Sequence, residues 1–185
     1  MSECVPSTIG FEELSDLAGL GPDRFPVDPV EFSALLGGTN INPETFLATD
    51  FLNNLNELIM MIGLAADMPD ILDEIREWRP LSYADHFAHS GFPHSELAIA
   101  GWRRAEPARR AAIEQLVDGI TGQIDATVEH FDICLGMGDQ SAFADLCNQT
   151  RKKLMVLHDW GAGVIQGTDA LNVAEVDALF RQVHG

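Results

Sequence analysis

The chain has few of the basic residues on which nucleic-acid binding depends. Its 185 residues include 11 lysines and arginines against 29 aspartates and glutamates, a formal net charge of −18 at pH 7. Direct nucleic-acid binding needs clustered basic side chains that neutralise phosphates, so we do not expect it here. The same excess of acids disfavours adhesion to anionic lipid surfaces, so we expect no membrane partner.

Cysteine is scarce as well. Cys4, Cys134 and Cys147 are odd in number and show no CxxC spacing, so neither a disulfide framework nor a cysteine-based zinc site is expected. Reduced thiols are typical of the cytoplasm, which is the expected location. The first residues lack a basic segment before an apolar run, and no stretch approaches about eighteen consecutive apolar residues. We therefore expect neither a signal peptide nor a membrane span.

Motifs with a defined catalytic mechanism are missing. The sequence contains neither the Gly-x-Ser-x-Gly of hydrolase nucleophiles nor the Gly-x-x-x-x-Gly-Lys of phosphate-binding loops. The Glu-x-x-His pairs of di-iron helical bundles are missing too. Cys134 and Cys147 fall on or near apolar stripes, so we interpret them as small core residues rather than nucleophiles.

Helical periodicity dominates what is present, and no convincing alternating strand is found. From Pro107 to Leu135, apolar residues hold one stripe, and a facing stripe runs from about Ser141 to Trp160. The Gly-Met-Gly turn at 136–138 between them is short, which predicts a long antiparallel helical hairpin. We therefore predict an all-α helical bundle built around this hairpin. Further helices are predicted at 43–66, 69–78 and 95–105, with a last one after Asn172.

The N-terminal part differs in character from the rest. Residues 1–42 are acidic and rich in glycine and proline, with room for short helices at 11–17 and 30–36 only. We predict an irregular arm over 1–42 and a helical bundle domain over 43–185. Asn42-Pro43 suits a helix cap and first turn, so the bundle is predicted to begin there.

The back of this first long helix is a candidate partner-binding surface. Three polar residues lie on one line at spacings of three and four, and two large apolar residues flank them. A solvated face is the alternative, but exposed apolar groups beside it favour a contact surface. The candidate residues are Phe46, Asp50, Asn53, Glu57 and Met60.

Three of the six histidines lie within nine residues and are the one hint of metal chemistry. If the chain folds back at Gly91, the imidazoles of His86, His89 and His94 could converge with Glu96 on a divalent transition metal. The alternative is a capped connector between helices. Ser82 and Asp85 fit a helix start, Gly91 fits a helix end, and Ser95 fits the next cap.

These patterns favour a non-catalytic, cytoplasmic partner-binding protein: an accessory, adaptor or regulatory subunit with an acidic and partly apolar helical surface. Its partner would be another protein or a second copy of itself. The alternative is a metal-binding protein or metal-dependent enzyme using the His86, His89 and His94 segment.

Overall fold

The computed structural model describes residues 25, 26 and 28–168, and every regular element in them is helical. Apart from short 3-10 turns at Thr49–Leu52 and Pro69–Ile71, they form seven α-helices. The helices are α1 Pro29–Leu35, α2 Asn53–Leu64, α3 Leu72–Glu77, α4 Tyr83–His89, α5 Ser95–Arg104, α6 Pro107–Met137 and α7 Gln140–Gln166. One isolated bridge between Ile41 and Ala48 is the only strand-like pairing in this part of the chain. The prediction of an all-α protein is confirmed.

A tight turn joins the two longest helices, α6 and α7. Gly138 ends α6 in the left-handed region, at φ 69°, where glycine avoids the steric penalty of a side chain. The Asp139 carboxylate then accepts a hydrogen bond from the backbone N–H of Ala142 at 2.9 Å and caps α7. The Asp139 side chain is therefore the N-terminal cap of α7.

The contacts between these two helices join the end of α6 to the start of α7, and the start of α6 to the end of α7. The rings of Phe131 and Phe143 lie 5.1 Å apart near the turn. Farther along, the hydroxyls of Thr127 and Thr150 are 3.2 Å apart, in a buried position. Near the start of α6, the Arg109 guanidinium donates to the backbone carbonyl of Val164 at 2.9 Å. The two helices therefore run antiparallel along most of their length.

Helix α7 continues past the glycines at 161 and 163 to Gln166, whereas the apolar stripe in the sequence was followed only to about Trp160. The reason is close packing, because Gly161 faces both α6 and the turn before α2. A Cβ atom at Gly161 would lie 2.6 Å from Leu116 Cδ2 and 3.2 Å from Leu52 Cδ2. The lack of a side chain at Gly161 therefore serves close helix packing rather than helix termination.

The first long helix begins at Asn53, not at Pro43 as predicted. The Asn42 side chain accepts from the next two available backbone amides at 2.8 and 3.1 Å, so it caps a turn instead of a helix. Phe46 then adopts a left-handed φ of 62°, and Ala48 is extended, which breaks any helix across this segment. The Asn42-Pro43 pair, which predicted the start of a helix, therefore begins a short turn instead.

The short helix α1 lies where the sequence predicted one, at 30–36. Its Phe32 is fully buried and meets the edge of the Phe25 ring, so this segment contributes to the same core as the bundle. The helices predicted at 11–17 and after Asn172 lie outside the described residues. None of the helices that the structure describes has the length and apolar character needed to cross a membrane.

Candidate functional site

Helix α4, which carries two of the three clustered histidines, is fixed to the body by Tyr83. This side chain is buried, and its Oη accepts a hydrogen bond from the backbone N–H of Ala48 at 2.7 Å. Its ring stacks on Trp102 at 4.7 Å between centroids and contacts Phe51 and Phe87 at 5.1 and 4.8 Å. Burial raises the pKa of the Tyr83 phenol well above its ordinary value. The histidine segment is therefore anchored through an aromatic cluster.

The helix start predicted at Ser82 is present. The Ser82 hydroxyl accepts from the backbone N–H of Asp85 at 3.1 Å and donates to the Asp85 carboxylate at 2.6 Å. The predicted stop is wrong, because α4 ends at His89 with Ser90 in an extended conformation, and Gly91 is not the cap. Ser95 is the first residue of α5 rather than its cap, a position held by His94 without a capping hydrogen bond from its side chain.

The exposed face of α2 and the histidine face of α4 form the walls of an open groove of about 380 Å³. Two amides, a carboxylate, two imidazoles, a hydroxyl and one leucine line it. The lining residues are Asn53, Asn54, Glu57, Leu81, His86, His89 and Ser90. Residues from the two sets that the sequence suggested separately therefore meet in one place. We refer to this site as the α2–α4 groove.

The two histidines of the groove differ in environment. His86 is half-buried, and its ring meets Phe51 and Phe87 edge-on at 5.7 and 4.8 Å. Burial lowers the pKa of His86 despite an opposing effect from the backbone and charge of Asp50, so a neutral imidazole is favoured at neutral pH. His89 is exposed, and its Nδ1 donates to the backbone carbonyl of Asp85 at 2.8 Å, which leaves Nε2 for a ligand or water.

The four residues suggested as metal ligands are not brought together. Among the described residues, no group of three or more histidine, cysteine, aspartate or glutamate side chains could hold a metal ion. His94 and Glu96 do not line the groove that contains His86 and His89. The His94 ring instead packs edge-on against Phe92 at 6.0 Å. Glu96 keeps one buried carboxylate oxygen without a hydrogen-bond partner.

Most of the suggested partner-binding residues do share one surface. Asn53 and Glu57 are exposed and line the groove, and Met60, one turn farther along α2, is 63% exposed. Asp50 lies in the 3-10 turn beside His86. Phe46 is the exception, because it precedes the helix and its half-buried ring packs edge-on against Phe32 at 5.4 Å.

Three groove residues were not identified from the sequence: Asn54, Leu81 and Ser90. Asn54 is held in place by its side-chain oxygen, which accepts from the Trp78 indole at 3.1 Å. Leu81 is 40% exposed in the connection between α3 and α4, an apolar side chain where a polar one would be ordinary. A leucine in this short linker was the one signal in the sequence that could have pointed to these groove residues.

Comparisons with known protein families, with curated proteins and with solved structures gave no match for this chain.

Proposed function

We propose that this is a partner-binding protein, an accessory or regulatory subunit without catalysis of its own, and that its α2–α4 groove takes a basic segment of another protein. The observation that carries the proposal is the meeting of Asn53 and Glu57 with His86 and His89 in one open groove. Met60 extends that surface along the same helix face, at a spacing of three residues from Glu57.

The charge of the groove supports a basic partner. Glu57 supplies a carboxylate, and no lysine or arginine is among the lining residues that the structure describes. Because burial lowers the pKa of His86, this imidazole does not add a positive charge near neutral pH. The whole chain carries a formal charge of −18, which would also speed the approach of a basic partner.

Exposed apolar side chains are the second feature of this surface that supports a protein partner. Met60 is 63% exposed and Leu81 is 40% exposed at separate places along the same surface. Methionine is flexible and adapts to partners of different shape, which suits a docking surface. A partner that combines lysine or arginine with aliphatic side chains would satisfy both the carboxylate and these two residues.

A peptide titration tests the proposal. The probe is a blocked hexapeptide of alternating lysine and leucine, and the matched control is the same peptide with glutamate in place of lysine. We expect the basic peptide to bind the full chain, and Glu57→Gln to weaken that binding roughly two- to five-fold, the ordinary range for an exposed ion pair. Met60→Lys should weaken it further, since the substitution replaces an apolar contact by a like charge.

Met137→Lys is the matched control variant, because Met137 has a similar exposure of 68% but lies at the end of α6. It should leave the affinity unchanged. Equal binding of the acidic peptide, or equal losses at Met60 and Met137, would reject the groove as the docking site. Binding of zinc in place of the peptide, lost in His86→Ala, would instead support the metal-dependent alternative.

A further inference from the structure

A second, smaller pocket of about 190 Å³ opens between the start of α4, α5 and α6. One part of its wall is aromatic and aliphatic: Tyr83 and Trp102 stack at 14° between ring planes, and Ile113 and Val117 continue the apolar surface. Pockets for drug-sized ligands have volumes of about 300–1,000 Å³, which is larger than this one. This pocket therefore matches a short aliphatic chain rather than a drug-sized molecule.

The other part of the wall is acidic. Glu114 and Asp118 both line the pocket and lie four residues apart on α6, so their side chains leave the helix on the same face. None of the eight lining residues, all within the described part of the chain, is cationic. Both carboxylates are exposed, and neither takes part in any salt bridge among those found for the described residues.

An apolar pocket with two unneutralised carboxylates suits one kind of ligand. An aliphatic chain would displace water from the Trp102 and Val117 surface, and a terminal positive charge would lie beside the carboxylates. Aromatic rings add a further attraction for cations. We infer that this pocket binds the aliphatic chain and the terminal charge of an alkylammonium group.

The pocket is separate from the α2–α4 groove, but it lies close to it. Leu81 lines the groove and the next residue, Ser82, lines the pocket. The alkylammonium group could therefore belong to a free small amine or to a lysine of a protein that also occupies the groove. Because the two sites share no lining residue, the pocket can bind its ligand whether or not a partner occupies the groove.

Binding of n-butylammonium to the full chain tests the inference, with n-butanol as the neutral control of the same length. The readout is the indole N–H resonance of Trp102, assigned with Trp102→Phe and compared with the resonances of Trp78 and Trp160. We expect the amine to shift the Trp102 signal and to bind at least five-fold more tightly than the alcohol. Added salt should weaken amine binding, since the carboxylates are exposed.

Two isosteric variants remove the charges without changing the shape of the pocket. Glu114→Gln and Asp118→Asn should each weaken butylammonium binding roughly two- to five-fold. Asp125→Asn, at an exposed carboxylate farther along the same helix, should have no effect, and neither should Glu57→Gln in the groove. Equal binding of the alcohol, an unmoved Trp102 signal, or an equal loss in Asp125→Asn would overturn the inference.

A blocked Gly-Lys-Gly tripeptide separates the two sources of the amine. Tighter binding of the tripeptide than of butylammonium, with the same dependence on Glu114 and Asp118, would identify a partner's lysine as the occupant. Binding of butylammonium alone would identify a free small amine. Either result supports the proposed site. If neither compound binds, the inference is wrong.

Discussion

The hydrogen bond between Tyr83 and Ala48 offers the sharpest test of how the candidate site is held in place. Tyr83→Phe removes one oxygen and keeps the ring that packs against Trp102, Phe51 and Phe87. It leaves the fully buried backbone N–H of Ala48 without its 2.7 Å acceptor. An unsatisfied buried donor costs about 1–3 kcal/mol, so the free energy of unfolding should fall by that amount.

Urea denaturation followed by tryptophan fluorescence measures this loss. For a chain of this size, each kcal/mol corresponds to about 2–4 °C, so the melting temperature should fall by roughly 2–12 °C. His89→Ala, at an exposed position on the same helix, is the control and should change the free energy by less than about 0.5 kcal/mol. A Tyr83→Phe variant as stable as the unmodified protein would refute the anchoring role of this hydroxyl.

The same residue predicts a loss of stability in alkali. Tyr83 is the only tyrosine, and burial raises the pKa of its phenol in the folded state. Its contribution is therefore complete below the unfolded pKa of about 10 and is lost as the pH rises above it. Phenolate absorbance should appear together with unfolding, and a phenolate signal in the folded protein near pH 10 would contradict the burial of this group.

Three further predictions concern packing, pH and thiol chemistry. Gly101→Ala should destabilise the protein by about 1–3 kcal/mol in urea denaturation, because the new Cβ would clash with the backbone carbonyl oxygen of Phe46. Gly136→Ala is the control and should not destabilise the protein, because no atom lies within 4 Å of a Cβ at that position. Burial lowers the pKa of His86, so its contribution to stability is present above about pH 6.5 and falls as the pH drops through the folded pKa. Urea midpoints at about pH 7.5 and pH 5 should differ less in His86→Gln than in His89→Gln, and equal differences would count against this assignment. Burial raises the pKa of Cys147 to about 11. In a Cys4→Ser, Cys134→Ser variant, the Cys147 thiol should therefore react with a thiol reagent roughly a hundred-fold more slowly in the folded protein than in the urea-unfolded chain. Equal rates would mean that the thiol is accessible.

Local signals predicted the elements that depend on neighbouring residues. The proline at 107, the glycines at 136–138 and the apolar stripes placed both ends of α6 and the start of α7 within a few residues of where they lie. The Ser82 cap was also predicted, because a hydroxyl three residues before a carboxylate satisfies helix amides locally.

The features that the sequence patterns did not predict depend on contacts between residues far apart in the chain. Phe46 was placed on α2 by its spacing, but its ring meets Phe32 and its backbone lies against Gly101, contacts that no local pattern predicts. The groove likewise depends on the hydrogen bond from Ala48 to Tyr83, which joins residues 35 apart in the chain. The polar face of α2 and the histidines of α4 were both recognised, but their meeting was not.

A single nuclear magnetic resonance titration tests the central claim most directly. The full chain, labelled with ¹⁵N, is titrated with the lysine–leucine hexapeptide while backbone and imidazole resonances are followed. We expect the largest shifts at Asn53, Glu57, Met60, His86 and His89, and smaller shifts at equal peptide concentration in Glu57→Gln. Shifts spread over the acidic surface, or the same shifts with the glutamate–leucine peptide, would contradict a docking groove between α2 and α4.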